Sequence, residues 1–451
     1  MKRRTFIGNS LAGGALLGGT LAPQPVLATH SRKTVTTNKT GKYDILLKGG
    51  HVIDPANHIN GIIDVAVADG KVSLVGKNIP AREAKKTVDV TGFYVSPGFI
   101  DIHCHVFYTD FTTNYRWVIA DDMCFPSGVT TIVDPGSSGH KTFEKFKFII
   151  DRSKTRTLAL INISDTGMNP DGEQDPSHFS VPPMVELAKK YPDIIVGFKT
   201  AHYWTGKPYD KIHTPWASVD ATLDAGRKAD LPIMIDFFPR IPSEGYSARS
   251  YRELILEKGR QGDIHTHVFA IHIPVINKDG KVNEDLFKAQ KRGFHLDVGH
   301  GAGSFVFRNA VPAIKQGFLP SSISTDLHSQ NTCGPVVNMA NVMSKFLSMG
   351  VPLEDVIRLS TINPAREINR TGLGSLTVGH TADIAVFEVL NGNFDFVDTS
   401  GGKFCGDKKL QNLVTLSGGE VVFDPSGFSY PIWEKIQKDQ KYWINPSGQY
   451  Y

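Results

Sequence analysis

The chain has 451 residues, of which 40% are hydrophobic and 21% charged, proportions typical of a soluble globular protein with a large core. The formal net charge is +4, and Lys2, Arg3 and Arg4 supply three positive charges, so the remaining chain carries about +1. Nucleic-acid-binding domains are strongly basic, and we therefore expect no nucleic-acid partner. Four cysteines without a CxxC pair also exclude a disulfide-rich scaffold.

The first 28 residues predict an export signal. They begin "MKRRTFI", continue as a glycine-rich and mildly apolar run, and end in small residues that suit cleavage after Ala28. The paired arginines resemble a twin-arginine signal, the address of bacterial proteins exported in the folded state. An uncleaved membrane anchor is the alternative, disfavoured because the run is short and interrupted by glycine. We expect a periplasmic or otherwise exported protein that uses the twin-arginine machinery.

Segments near both ends of the chain predict β-structure. After a polar linker at 29–42, residues 43–97 alternate short β-branched runs with Gly, Asn and Asp turns, the pattern of an antiparallel sheet. Residues 366–425 repeat this composition, which predicts one small β-sandwich domain formed by both chain ends. The tail at 426–451 could dock on the barrel predicted below or on a neighbouring subunit of a homo-oligomer.

The middle of the chain, residues 98–365, alternates apolar strand-like runs with helix-like stretches, which predicts an α/β fold with a parallel sheet. Eight runs over this length predict a closed (β/α)8 TIM-type barrel, whose active site lies at the carboxyl ends of the strands. A doubly wound open sheet is the alternative. The predicted strands are FIDIHCH, VTTIVDP, TLALINIS, DIIVGFKT, PIMIDFF, DIHTHVF, FHLDVG and SSISTDL.

Several of these strands end in residues that favour metal binding. His103 and His105 are two residues apart, so on a strand their side chains point the same way. Imidazole and carboxylate groups are the ligands preferred by zinc and similar divalent ions. Because the strand ends meet at one face of a barrel, we predict a metal centre there, formed by His103, His105, Lys199, Asp236, His267 and Asp326.

Lys199 has a special place in this set because it follows the apolar run DIIVGF, so its stem emerges from a buried strand. Burial disfavours the charged amine and lowers its pKa. A neutral lysine can add carbon dioxide to form a carbamate, an anion able to bridge two cations. The alternative is a lysine whose amine reaches solvent at the barrel rim.

The turn GHGAGS after the seventh predicted strand is a candidate substrate-binding segment. Glycines let the backbone approach a ligand closely, so His300 and Gly301 could contact the substrate or a developing oxyanion. A simple tight turn is the alternative. Ser137 and Ser138, which follow the second strand, are further substrate-binding candidates.

Taken together, the motifs VSPGFIDIHCH, THVF, STDLH and NPA…GLGSLTVGHTADIAVF, with the lysine on strand four, resemble the amidohydrolase superfamily of metal-dependent hydrolases. The segments LINISDTG, DVGHGAGSF and SISTDLHS are most similar to its amidohydrolase/deacetylase branch, related to dihydroorotases and D-aminoacylases. The resemblance implies a barrel with a β-sandwich, a binuclear metal centre, and hydrolysis of an amide or ester. It also implies that His103, His105 and Asp326 bind the more buried ion.

The same resemblance implies that carboxylated Lys199 bridges to a second ion, which His267 binds. The family normally places another histidine at the end of strand five, where this chain has Asp236. A carboxylate can ligate zinc or manganese, so the expected cofactors are two divalent ions, zinc or manganese, and carbon dioxide held as the carbamate. His265, on the same predicted face as His267, could hydrogen-bond and orient Asp236 or be an ordinary core histidine.

The implied mechanism is hydrolysis by a metal-bound hydroxide. Two cations lower the pKa of a bridging water, and one of them polarises the scissile carbonyl. Asp326 would take the proton and pass it to the leaving group. The expected substrate is a small N-acyl or O-acyl compound or a cyclic amide. A mononuclear deaminase, which needs no bridging lysine, and a metal-poor binding scaffold are the alternatives.

Overall fold

The computed structural model describes residues 35–436, apart from 39, 109–116, 170, 205–206, 240–244 and 248. The predicted export signal, half of the predicted linker and the last part of the predicted tail therefore lie outside the described residues. Among the residues that are described, no helix has the length and apolar character needed to cross a membrane.

Eight short strands precede the barrel. Five of them form a sheet in the order β1-β7-β2-β5-β6, and β4, β3 and β8 belong to a second sheet. The β5–β6 hairpin turns at Asp69 and Gly70, whose φ angles are 50° and 72°, the backbone form that a tight two-residue hairpin requires. The strands are β1 (Val35–Thr37), β2 (Tyr43–Lys48), β3 (His51–Asp54), β4 (Ile59–Ile62), β5 (Asp64–Ala68), β6 (Lys71–Gly76), β7 (Ala84–Asp89) and β8 (Tyr94–Pro97).

Seven parallel strands then form a sheet in which neighbours follow the order of the chain. The extended segment 321–327 takes an eighth position: Ser322 pairs with Asp297 beyond the seventh strand, and Leu327 pairs with Cys104 beyond the first. The ring closes into a TIM-like barrel, so the alternative of an open doubly wound sheet is wrong. The strands are β9 (Phe99–Asp101), β10 (Val129–Pro135), β11 (Arg156–Asn162), β12 (Ile195–Thr200), β13 (Ile233–Ile235), β14 (Ile264–His265) and β15 (His295–Leu296).

Ten α-helices lie within the described residues, and the longer ones follow barrel strands. Helix α6 begins where the Asn283 side chain accepts a hydrogen bond from the backbone of Asp285, a favourable helix start. The helices are α1 (Ala120–Cys124), α2 (Phe143–Ile150), α3 (Val181–Lys190), α4 (Ala217–Ala229), α5 (Tyr251–Glu253, continued by a π-helical turn), α6 (Glu284–Lys291), α7 (Phe307–Lys315), α8 (Met339–Ser348), α9 (Leu353–Leu359) and α10 (Ile362–Glu367).

Apolar side chains fill the barrel interior beneath the strand ends. One buried cluster takes residues from each of six successive strands, β9–β14, together with Ala365 and Ile368 from the end of α10. A separate, larger cluster joins the outer faces of the strands to the helices. Polar side chains that end the strands therefore have apolar packing below them, and the open space lies at the carboxyl end.

The chain returns to the second sheet after the barrel. The strands β16 (Ile384–Val397), β17 (Lys403–Ser417) and β18 (Glu420–Phe423) complete a six-stranded sheet in the order β18-β17-β16-β8-β3-β4. Strands from both sides of the barrel segment thus share one sheet. A single hydrophobic cluster contains residues of both sheets, among them Leu47 and Val67 of the first and Val95 and Val386 of the second.

Candidate metal centre

The carboxyl ends of the barrel strands converge on a cavity of about 60 Å³. Their convergence follows from the parallel strands, which all end at the same face. All six residues that the sequence predicted as metal ligands line this cavity: His103, His105, Lys199, Asp236, His267 and Asp326.

Three of these residues form the most compact group of potential ligands. The ligand atoms of His103, His267 and Asp326 all lie within 4.8 Å of one another. The Nε2 atoms of His103 and His105 lie 3.5 and 3.1 Å from Asp326 Oδ1. Three imidazoles around one carboxylate are a donor set that suits a divalent ion such as zinc.

Each of the three imidazoles is held through its Nδ1 atom. His103 Nδ1 lies 2.9 Å from Thr266 Oγ1, and His105 Nδ1 lies 2.7 Å from Ser137 Oγ. His267 Nδ1 donates to the Gly299 carbonyl oxygen at 2.6 Å. With Nδ1 engaged in this way, Nε2 can present its lone pair to the cavity, as a metal-binding histidine requires.

The partner of His103 is itself fixed by a buried carboxylate. Asp297 accepts hydrogen bonds from the hydroxyls of Thr266, Ser322 and Ser324 at 2.7–2.8 Å. Burial raises the pKa of Asp297, and these hydroxyl bonds partly offset the rise. Because the Thr266 hydroxyl gives its one hydrogen to Asp297, it must accept from His103 Nδ1. Asp297 therefore orients His103 through Thr266.

Lys199 and Asp236 bring opposite charges into the same cavity. Lys199 is 1% exposed, so the alternative in which its amine reaches the rim is wrong. Burial lowers the pKa of Lys199, and the carboxylates of Asp236 and Asp326 only partly offset this effect. A buried lysine of this kind has an unusually accessible neutral form.

The Asp236 carboxylate is only partly satisfied by the described residues. Its Oδ1 is buried without a hydrogen-bond partner among them, and its Oδ2 lies 4.0 Å from His267 Nε2. Burial raises the pKa of Asp236, but nearby His267, His202 and Lys199 outweigh this and hold it below the ordinary value. A buried, ionised oxygen without a donor suits a site that takes a cation, so the residues fit divalent ions.

The sequence reasoning missed His202, which also lines the cavity. Its Nε2 lies 3.9 Å from Asp236 Oδ2, and its Nδ1 lies 3.2 Å from the buried Glu173 carboxylate. Burial lowers the pKa of His202, but Glu173 and Asp236 outweigh it and raise the pKa to about 9. The sequence signal that could have identified His202 is its position three residues after Lys199, at the end of the same strand.

His328 was missed as well, although it is the last residue of the STDLH motif. It lines the cavity, and its ring lies 6.3 Å from that of His105. Its position two residues after Asp326 was the signal that could have identified it.

The structure does not place His265 beside Asp236. Its Nδ1 faces the Ile235 carbonyl oxygen at 3.2 Å, and its ring packs edge-on against Tyr251. The expected alternation fails because β14 ends at His265 and His267 has a left-handed backbone, with φ of 69°. Of the two alternatives for His265, the hydrogen bond to Asp236 is therefore wrong, and the residue is a core histidine.

The two predicted residues of the glycine-rich turn have different surroundings. His300 is buried, stacks on Phe305, and hydrogen-bonds Gly301 and Lys345 through its two ring nitrogens. The structure therefore does not bring the His300 ring to the cavity. Gly301 has φ of 57°, and a Cβ at this position would lie 2.3 Å from Asp326 Oδ2. A glycine is needed here because the turn passes directly over the Asp326 carboxylate.

Ser138, a further predicted substrate-binding residue, is also buried, and its Oγ has no partner among the described residues. The serine that reaches the cluster is its neighbour Ser137, which contacts His105. Direct contact of Ser138 with a substrate stays a prediction.

Comparison with known proteins agrees with this geometry. The family described as amidohydrolase family matches residues 304–421. A deacetylase of Brucella anthropi is 33% identical over 380 residues, which cover 81% of this chain and 89% of that protein. The structure of an adenine deaminase has a TM-score of 0.74 at 25% identity, covering 85% of this chain and 100% of its own. A dihydroorotase structure has a TM-score of 0.69 at 28% identity, covering 84% and 99%.

The closed barrel, the cluster of imidazoles and carboxylates, and these relatives define a metal-dependent hydrolase fold. The chain belongs to the amidohydrolase superfamily. It is a hydrolytic enzyme.

The close approach of Gly301 to Asp326 gives a direct test of the centre. Gly301→Ala should displace the Asp326 carboxylate and lower the metal content measured by elemental analysis, because the added methyl group would overlap Oδ2 and the left-handed backbone disfavours alanine. Gly303→Ala is the matched control, since a Cβ there meets nothing within 4 Å. Equal metal content in both variants would contradict the role of Asp326.

Proposed function

We propose that this protein is a binuclear metal-dependent hydrolase that cleaves the amide or ester bond of a small N-acyl or O-acyl compound or of a cyclic amide. The observation that carries the proposal is the convergence of six potential ligands, including a buried lysine, on one cavity. The deacetylase named among its relatives supports an acyl substrate, and the similar dihydroorotase structure supports a cyclic amide.

The side chains divide between two ions, for which we propose zinc, with manganese as the alternative. His103, His105 and Asp326 would hold the first ion. Asp236 and His267 would hold the second, with Lys199 between them. When bound, such ions polarise a carbonyl and lower the pKa of a water molecule.

We propose that Lys199 bridges the ions as a carbamate. Its neutral amine would attack carbon dioxide and lose a proton, leaving one negative charge shared by two oxygens. Burial favours the first step because it lowers the pKa of the amine. The product is an anion with two donor atoms, which an unmodified lysine does not offer.

Asp326 is the proposed proton carrier. Burial raises the pKa of Asp326, but His103 and His105 outweigh this and hold it well below the usual range, so the group is ionised near neutrality. Its Oδ1 faces the two imidazoles, while Oδ2 lies next to Gly301. Oδ2 is therefore the atom at which Asp326 would hold a proton before passing it to the leaving nitrogen or oxygen.

The size of the cavity favours a small reacting group. About 60 Å³ is far below the roughly 300–1,000 Å³ of pockets that enclose drug-sized ligands. The scissile carbonyl and a water molecule would occupy this space. The rest of the substrate would lie outward, beyond His202 and His328.

A mononuclear deaminase is the second candidate. It is favoured by the similar adenine deaminase structure and by the compact His103, His267 and Asp326 group, which could hold a single ion. The buried Lys199 in the cavity argues against it, because one ion needs no bridging ligand.

Metal content and a Lys199 variant test the proposed centre. Protein purified without chelators should contain about two zinc or manganese ions per chain. Lys199→Ala should lose metal and activity, with partial rescue by short-chain carboxylic acids that replace the carbamate. Lys190→Ala, a change of an exposed lysine, is the control. Full metal content and activity in Lys199→Ala would contradict the proposed bridging role of Lys199.

Replacement of the Asp326 carboxylate by an amide tests proton transfer. Asp326→Asn should still bind substrate but turn over at least about a hundredfold more slowly, since the amide cannot accept the proton. Steady-state kinetics with an N-acyl amino acid that the unmodified enzyme hydrolyses would separate kcat from KM. A kcat near that of the unmodified enzyme would assign proton transfer to another group.

We also propose that residues 1–28 direct twin-arginine export to the periplasm. The paired arginines in MKRRTFI support this. Replacing Arg3 and Arg4 together by lysine should retain the protein in the cytoplasm of a bacterial host, as measured by cell fractionation. Export that persists at the original level would contradict the proposal.

A further inference from the structure

An imidazole that has no role so far, that of His202, lies beside the residues proposed to hold the second ion. Asp236 Oδ2 lies 4.0 Å from His267 Nε2 and 3.9 Å from His202 Nε2. Two donors bound to a tetrahedral zinc at about 2.1 Å are roughly 3.4 Å apart. Both separations are therefore within about 0.6 Å of the spacing that a shared ion requires.

The orientation of His202 is that of a metal-binding histidine. Its Nδ1 lies 3.2 Å from Glu173 Oε2, and a carboxylate only accepts, so Nδ1 carries the hydrogen. Nε2 is therefore the ring nitrogen left for a ligand, and it lies near Asp236. The raised pKa keeps a proton on this nitrogen in the metal-free protein, and a bound ion would displace that proton, since a ligating histidine is neutral. Glu173 is itself buried and receives a hydrogen bond from Asn162 Nδ2 at 3.0 Å. A carboxylate that fixes an imidazole in this way is the usual partner of a metal ligand.

The backbone of His202 is also constrained. Its φ angle is 24°, in the left-handed region that a residue with a Cβ rarely adopts. Gln174, the neighbour of Glu173, donates to the His202 carbonyl oxygen at 2.7 Å. Two consecutive residues thus hold the main chain and the side chain of His202, and non-glycine residues held in this region are concentrated at functional sites.

We propose that His202 is a ligand of the second divalent ion, with Glu173 as the residue that positions it. This assignment rests on the proposed binuclear function. The second ion would then be held by two imidazoles, that of His267 just after β14 and that of His202 in the loop after β12, together with the Asp236 carboxylate.

The test compares metal content in the unmodified protein and in two histidine variants. The metal content of the His202→Ala variant should be about one ion per chain, compared with about two in the unmodified protein. His178→Ala is the matched control, because His178 also pairs with a carboxylate, Asp165, and its side chain is 43% exposed compared with 39% for His202. His178→Ala should keep about two ions.

The outcomes separate the assignment from the function on which it rests. Two ions in His202→Ala, with a raised KM, would overturn the assignment, leave the binuclear centre intact and make His202 a substrate-binding residue. One ion or none in the unmodified protein after supplementation with zinc would overturn the binuclear function itself, and the assignment with it.

A measurement on the unmodified protein avoids dependence on the folding of a variant. Diethyl pyrocarbonate modifies accessible imidazole nitrogens, and peptide mass spectrometry locates the modified residues. Zinc should protect His202 relative to chelator-treated protein while modification of His178 stays unchanged. Equal modification of His202 with and without zinc would overturn the assignment.

Discussion

The burial of several charged groups in one small cavity is the constraint on which the rest of this structure depends. Lys199 and Asp236 are 1% and 7% exposed, and an isolated charge at such depth costs several kcal/mol. The groups compensate one another, since His267, His202 and Lys199 hold the pKa of Asp236 down although burial alone would raise it. The closed barrel makes this possible because it brings groups from several strand ends to the same face.

The barrel and most of the centre could be predicted because the signals are local. Apolar runs of strand length alternate with helical stretches, and polar residues end those runs. His103, Lys199 and Asp326 lie at or just after the carboxyl ends of buried strands, so the direction of the chain at each strand end places them at the carboxyl face. Asp236 was also found in this way, although its side chain differs from the histidine that the family resemblance implied.

What could not be predicted depends on contacts between distant segments or on single backbone angles. The contact of Glu173 with His202 joins positions 29 residues apart, and nothing in the local pattern connects them. His265 was placed wrongly because the strand was assumed to continue through His267, whose φ angle of 69° ends the alternation. His300 looked accessible in a glycine-rich turn, yet its ring is buried on Phe305. Periodicity describes regular strands and helices and does not extend to such departures.

The apolar packing inside the barrel has a consequence for how substrate enters the cavity and how products leave it. Side chains from β9–β14, closed off by Ala365 and Ile368, occupy the interior beneath the cavity. Among the described residues this packing closes the interior beneath the cavity, so substrate, water and both fragments of a cleaved molecule would pass through the opening at the carboxyl ends of the strands. The fragment nearer the opening would have to depart before the deeper one. Accumulated fragments would then compete with incoming substrate for that opening.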